Sequence, residues 1–123
     1  MSVKYHDSGL WIEKLNETSY RIGLSEKGQD DVGEVIFFEL PEMKEEVKKG
    51  SLLLNVEGEK AVTEMTMPFN ATITAVHEAV EDQPELLNQT DKESNWIVEV
   101  TDVDPSAWNA LDEEVGPLEG DTP

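Results

Sequence analysis

The feature that most constrains this chain is its punctuation. Short runs of strand character recur along the sequence, each stopped by Gly, Pro, Asn or a charged turn, and such spacing points to an all-β domain. The strongest run is Glu34-Val35-Ile36-Phe37-Phe38-Glu39-Leu40. Its β-branched and aromatic residues suit a pleated surface, and Pro41, with no N–H to give a ladder, breaks it. Leu10 to Leu15 opens a first strand, and Asn16-Glu17-Thr18 turns it back into Tyr20 to Leu24, where apolar residues alternate with Arg21 and Gly23. Leu52 to Glu57 and Ala61 to Met67 are joined by Gly58-Glu59-Lys60, which reads as a hairpin. Ala71 to Val76 and Trp96 to Val100 complete the strands.

Helical signals are brief. Ser25 can cap a helix over Glu26 to Val32, which Gly33 ends. His77 to Asn88, interrupted by Pro84, suggests a short helix or helical turn followed by a loop. Asp104-Pro105 is a good helix start. Trp108, Leu111 and Val115 then give an apolar stripe, and Gly116-Pro117 stops it. The predicted architecture is mainly β, with short helical inserts and a C-terminal helix.

At 123 residues, the chain fits one domain of the usual ~100–200 residues, expected over residues 1–117, with an acidic, disordered tail at 118–123. Nine basic residues face 28 acidic ones, a net charge of -19. Phosphate repulsion excludes a conventional nucleic-acid binder, and the same charge opposes adsorption to anionic membranes. It favours partners with a basic docking surface. The cysteine count is zero, so there is no disulfide framework, thiolate nucleophile or Cys-ligated metal. No signal-peptide pattern and no membrane-spanning run appears; the expected location is the cytoplasm.

Candidate chemistry is sparse. His6 and His77 are far apart in sequence and form no metal-binding pair, and the acidic clusters lack the spacing of a calcium loop. No GxSxG, phosphate-cradling loop or Ser/His/Asp order is present, so a self-sufficient enzyme is not expected. What remains is the turn Glu57-Gly58-Glu59-Lys60-Ala61. A lysine at a hairpin tip holds its amine clear of the sheet, and Gly58 supplies a turn conformation that other residues resist. From spacing alone two readings stand: an ordinary exposed lysine, or one modified by a cofactor arm.

Gly33-Glu34-Val35-Ile36-Phe37-Phe38-Glu39-Leu40-Pro41 resembles the Gly-Asp/Glu-Ile/Val-x-Phe-x-Glu-Leu-Pro segment of the glycine cleavage H-protein family. Glu57-Gly58-Glu59-Lys60-Ala61-Val62 falls where that family has Glu-Ser-Val-Lys-Ala, whose lysine carries lipoate. Pro84 to Asn88 matches its Pro-Glu-Leu-Ile-Asn element, Trp96-Ile97-Val98 its Trp-Leu/Met-Val/Ile strand, and Tyr5 with Trp11 its opening segment. The resemblance spans about residues 5 to 115. It implies a flattened barrel-sandwich related to lipoyl and biotinyl carriers, with lipoate on Lys60 as a swinging arm. It also implies recognition by a lipoate ligase or lipoyl transferase through Glu57, Gly58 and Ala61. The implied role is an aminomethyl shuttle between glycine decarboxylase, aminomethyltransferase and dihydrolipoamide dehydrogenase, with the chemistry belonging to the cofactor.

The match has departures. The family's Ser/Asp-His-Glu-Trp reads Ser8-Gly9-Leu10-Trp11 here, and Leu10 cannot do what the resemblance assigns to that Glu, which is to help hold a cationic aminomethyl group. Ser8, Leu10 and Glu64 are the implied cleft residues, Glu64 standing where the family commonly has Asp. Gly58 replaces a family Ser and predicts a more flexible tip. The alternative is therefore an H-like lipoyl acceptor or relay outside glycine cleavage, a partner of sirtuin and macrodomain enzymes.

Overall fold

The computed structural model describes residues 2–39 and 46–113. The predicted break at Pro41, the helix stop at Gly116-Pro117 and the tail at 118–123 lie outside these residues. The strands are β1 (Val3–His6), β2 (Leu10–Lys14), β3 (Tyr20–Leu24), β4 (Val35–Glu39), β5 (Glu46–Val47), β6 (Leu52–Gly58), β7 (Val62–Thr66), β8 (Ala71–Val76) and β9 (Trp96–Thr101). The helices are α1 (Glu26–Val32), α2 (Ala79–Asp82), α3 (Lys92–Asn95) and α4 (Pro105–Asn109), with a 3-10 turn over Pro84–Asn88.

Two antiparallel sheets result, one ordered β1-β2-β3-β9-β8-β5 and one ordered β4-β6-β7. Their inner faces share one core. Leu10, Ile12, Ile22 and Leu24 come from the larger sheet, and Val35, Phe38, Leu54, Val56 and Met65 from the smaller, with Phe69 filling the crossing between them. Burying each such side chain is worth about 1.5–3 kcal/mol. The mainly β expectation holds, as a sandwich whose sheets do not close into a barrel. Pro68 accounts for part of this. It follows β7 and has no N–H for a further rung, and the chain then enters β8 in the other sheet.

Three elements escaped the sequence reading, among them the two-residue β5 within a stretch expected to be a charged connection, where Val47 is buried and pairs with Ala71 of β8. β1 precedes the first predicted strand; its four residues are all half-buried, so it shows no clean alternation, and pairing with β2 defines it. The single turn α3 lies where no helix was expected. The C-terminal helix starts as predicted, with the Asp104 carboxylate accepting from the Ser106 N–H at 2.9 Å. It ends at Asn109. Trp108 packs on Tyr20 with ring centroids 5.2 Å apart. Beyond it, Asp112 exchanges two backbone hydrogen bonds with Tyr5, of 2.8 and 3.0 Å, which ties this segment to β1.

Candidate functional site

The β6–β7 hairpin is built as its sequence predicts. Leu53, Leu54, Val56 and Met65 turn inward, Glu57 pairs with Val62 across the ladder, and the Gly58 N–H closes the turn on the Ala61 carbonyl at 2.9 Å. Glu59 and Lys60 form the tip, and both are exposed.

The tip does not stand clear of the fold. It docks on the corner between α1 and β4, a contact that adjacent residues in sequence cannot announce. The Glu59 N–H donates to the Glu34 carbonyl at 3.0 Å, and the Lys60 N–H donates to the Val32 carbonyl at 3.0 Å. That corner exists because Ser25 caps α1 by accepting from the Gly28 N–H at 3.2 Å, and because Gly33 ends it at φ +78°, a conformation that favours glycine. A Cβ on Gly33 would stand 2.9 Å from Lys60 Cγ, so the lysine stem lies directly over this glycine. The Lys60 amine then donates to the Asp30 carbonyl at 3.1 Å, with the Asp30 carboxylate 3.9 Å away. A cation at the carbonyl end of a helix is favourably placed. The Lys60 side chain remains 47% exposed, so its amine is steered along α1 without being enclosed.

Gly58 has a different role from the one expected. It is buried, and its φ is not positive. A Cβ there would lie 2.2 Å from both Val32 Cγ1 and the Val32 carbonyl oxygen. Glycine at this position permits close approach to α1 and anchors the tip; it is not a source of flexibility. Glu57 and Ala61 are exposed on either side of it.

The expected cleft residues separate. Leu10 is 0% exposed and belongs to the core, so it faces no cleft; the leucine is accommodated by apolar packing. Ser8 is half-buried, with Oγ 2.6 Å from His6 Nδ1 and 3.4 Å from the Thr66 carbonyl oxygen. Glu64 is exposed on β7, on the side away from the buried Met65. Removal from water lowers the His6 pKa below its ordinary value, with Lys49 acting in the same sense and Asp7 and Asp112 opposing. Among the described residues no group of three or more His, Cys, Asp or Glu is placed to hold a metal ion.

The sequence reading did not identify Asp30 and Val32 as site residues. Their signal is weak, because only the fold brings residues 30–34 against 58–60.

Comparison with known proteins places this geometry among relatives. The sequence profile of the Glycine cleavage H-protein family matches residues 3–115. The glycine cleavage system H protein of Listeria welshimeri is 35% identical over 107 residues, covering 87% of this chain and 85% of that protein. Its counterpart from Vibrio campbellii is 34% identical over 110 residues, with 89% and 87% covered. The crystal structure of a glycine cleavage system H protein from Mycobacterium marinum superposes with a TM-score of 0.72 at 23% identity, covering 95% of this chain and 88% of that one. That last likeness speaks for the fold.

Proposed function

The chain belongs to the glycine cleavage H-protein family, and from that premise we propose that it is a non-catalytic carrier holding lipoate as an amide on Lys60. Lipoate, once attached, supplies a dithiolane that carries groups through thiol–disulfide exchange. The chain's own contribution is placement. The observation that carries the reading is Lys60 itself: a half-exposed primary amine on a turn whose backbone is hydrogen-bonded to Val32 and Glu34. The turn is fixed and the side chain is accessible, which suits an arm that must reach successive enzymes from one pivot.

Asp30 has a defined part before attachment. Its carbonyl and carboxylate hold the cationic amine along α1. Acylation leaves an amide N–H with no charge, so the attraction to the carboxylate ends and the side chain loses that tether. Glu57, exposed three residues before the lysine, is a recognition residue for the attaching enzyme, with Ala61 leaving the other flank open.

The partners are those of the family: glycine decarboxylase, aminomethyltransferase and dihydrolipoamide dehydrogenase. The relatives are glycine cleavage H proteins, which favours this assignment over a lipoyl relay serving sirtuin and macrodomain enzymes. No helix among the described residues is long and apolar enough to cross a membrane, and the cytoplasm is the proposed location.

The test is intact mass and peptide mapping of protein loaded by a lipoate–protein ligase. One adduct on the Lys60 peptide is expected, absent from Lys60→Ala. A Lys60→Ala protein that still gains the adduct overturns the assignment.

A further inference from the structure

The outer face of the β4-β6-β7 sheet is unusually apolar. The large hydrophobic residues that stand exposed among the described residues are Ile36 (57%), Phe37 (56%), Leu52 (47%) and Val62 (71%). All four lie on this sheet. A register shift between Val35 and Phe37 turns two consecutive side chains, Ile36 and Phe37, to solvent. Phe37, Glu57 and Val62 then form one row across the three strands, and Val62 stands two residues from Lys60. Beside the row runs a groove of about 390 Å³ lined by Ile36, Phe37, Phe38, Glu39, Glu81 and Pro84. Exposed apolar side chains clustered beside a groove, with the Glu57 carboxylate between Phe37 and Val62, mark an interaction site.

We propose that this face is the docking surface of the enzyme that attaches lipoate, and that the enzyme seats an apolar side chain in the groove with Lys or Arg over Glu39, Glu57 and Glu81. The proposal rests on Lys60 being the attachment site. Charge supports it: the three carboxylates belong to exposed residues on a chain of net charge -19, so a basic rim gains at every approach. A second copy of this chain is the less suited occupant, because face-to-face stacking brings two such charges and the same carboxylates together. The chemistry of the step singles out the attaching enzyme. Enzymes acting on the loaded carrier can grip the cofactor; the one that loads it meets only protein. At the tip it finds a small target, so surface beyond the turn must supply the affinity, and the Phe37–Glu57–Val62 row is the adjoining surface.

The experiment measures KM and kcat of a bacterial lipoate–protein ligase, given lipoate and ATP, on the full chain and its variants. An Ile36→Ser/Phe37→Ser double variant should raise KM about tenfold or more while kcat stays within about twofold, as for loss of an interface anchor. Glu39→Gln/Glu81→Gln should raise KM about threefold at low ionic strength and flatten its salt dependence. Val62→Ser, the most exposed of the set, gives a third reading should the double variant fail to fold. KM within about twofold of wild type in all three, with the adduct on Lys60, overturns the docking surface alone. An adduct missing from the Lys60 peptide of the wild type overturns the attachment site, and this proposal with it. Sedimentation that shows a dimer in the wild type and a monomer in the serine variants assigns the face to self-association and also overturns it.

Discussion

The two sheets share one core, yet their outer faces are finished differently. On the larger sheet the two outward tryptophans, Trp11 and Trp96, have partners. Trp11 lies over Gly23, where a Cβ would come within 2.3 Å of its ring, and its indole N–H donates to Asn95 Oδ1 at 2.8 Å. Lys92 sits 5.6 Å from the same ring centroid. Trp96 stacks on His77 at 4.3 Å and receives Arg21 at 5.1 Å, which in turn pairs with Glu99 at 2.7 Å. On the smaller sheet Ile36, Phe37 and Val62 meet water. Both faces carry aromatic and aliphatic residues, so composition does not separate them. What separates them is whether the chain supplies its own cover: helix α3 and paired charges on one side, none of the large hydrophobics satisfied on the other. One face serves stability, and the other is left to a second molecule.

The largest expected effect attacks the self-covered face. Trp11→Ala should cost about 3–5 kcal/mol, as for large aromatic truncations in cores, read as a lower denaturation midpoint. Loading of Lys60 below the melting temperature should be unchanged. A loss under about 1 kcal/mol would mean that the larger sheet does not depend on this cover.

Gly58→Ala tests the junction between the regions. Its added methyl meets the Val32 carbonyl oxygen and Cγ1 at 2.2 Å, and backbone must shift. Overpacking of this kind costs about 1–3 kcal/mol. Because the tip hangs from Val32 and Glu34, ligase kcat/KM should fall together with stability. Normal loading in a destabilised protein would show that the docked tip is not what the attaching enzyme requires.

The exposed face should behave oppositely. Phe37→Ser is expected to move folding stability by less than about 0.5 kcal/mol, the usual range for surface changes, as measured by chemical denaturation. A loss above about 2 kcal/mol would show that Phe37 supports the fold and would erase the contrast between the faces.

Much of this was legible in the sequence. The strand run over Val35–Glu39, the run ending at Pro68 and the hairpin flanking Gly58-Glu59-Lys60 carry local signals that survive folding. So do Ser25 and Gly33 at the ends of α1. What was not legible depends on distant pairing. β1 becomes a strand through β2. Gly58 is glycine because of Val32, 26 positions earlier by their numbers. The inward direction of Leu10 follows from its pairing with Leu24 and burial in the core. The outward turn of both Ile36 and Phe37 needs a bulge that an alternating pattern does not foretell.

The smallest expected effect lies where the sheets touch. His6, at the end of β1, contacts Ser8 Oγ at 2.6 Å, and that oxygen lies 3.4 Å from the Thr66 carbonyl at the end of β7. Burial holds the His6 pKa below its ordinary value of 6.5, helped by Lys49 and opposed by Asp7 and Asp112. The folded chain therefore resists protonation of this ring more than the unfolded chain does. Above the unfolded value of about 6.5 the two states bind the same proton count, and the group makes no difference to stability. As pH falls below it, the unfolded state takes up the proton first and stability drops, until the folded ring also titrates. Carboxylates titrate lower still, so the useful window is pH 7.5 to 5.5. Across it, the wild type should lose more thermal stability than His6→Gln, by an amount well below that of the substitutions above. An equal loss in both proteins would place the acid sensitivity elsewhere and leave the contact between the two sheets without a titrating group.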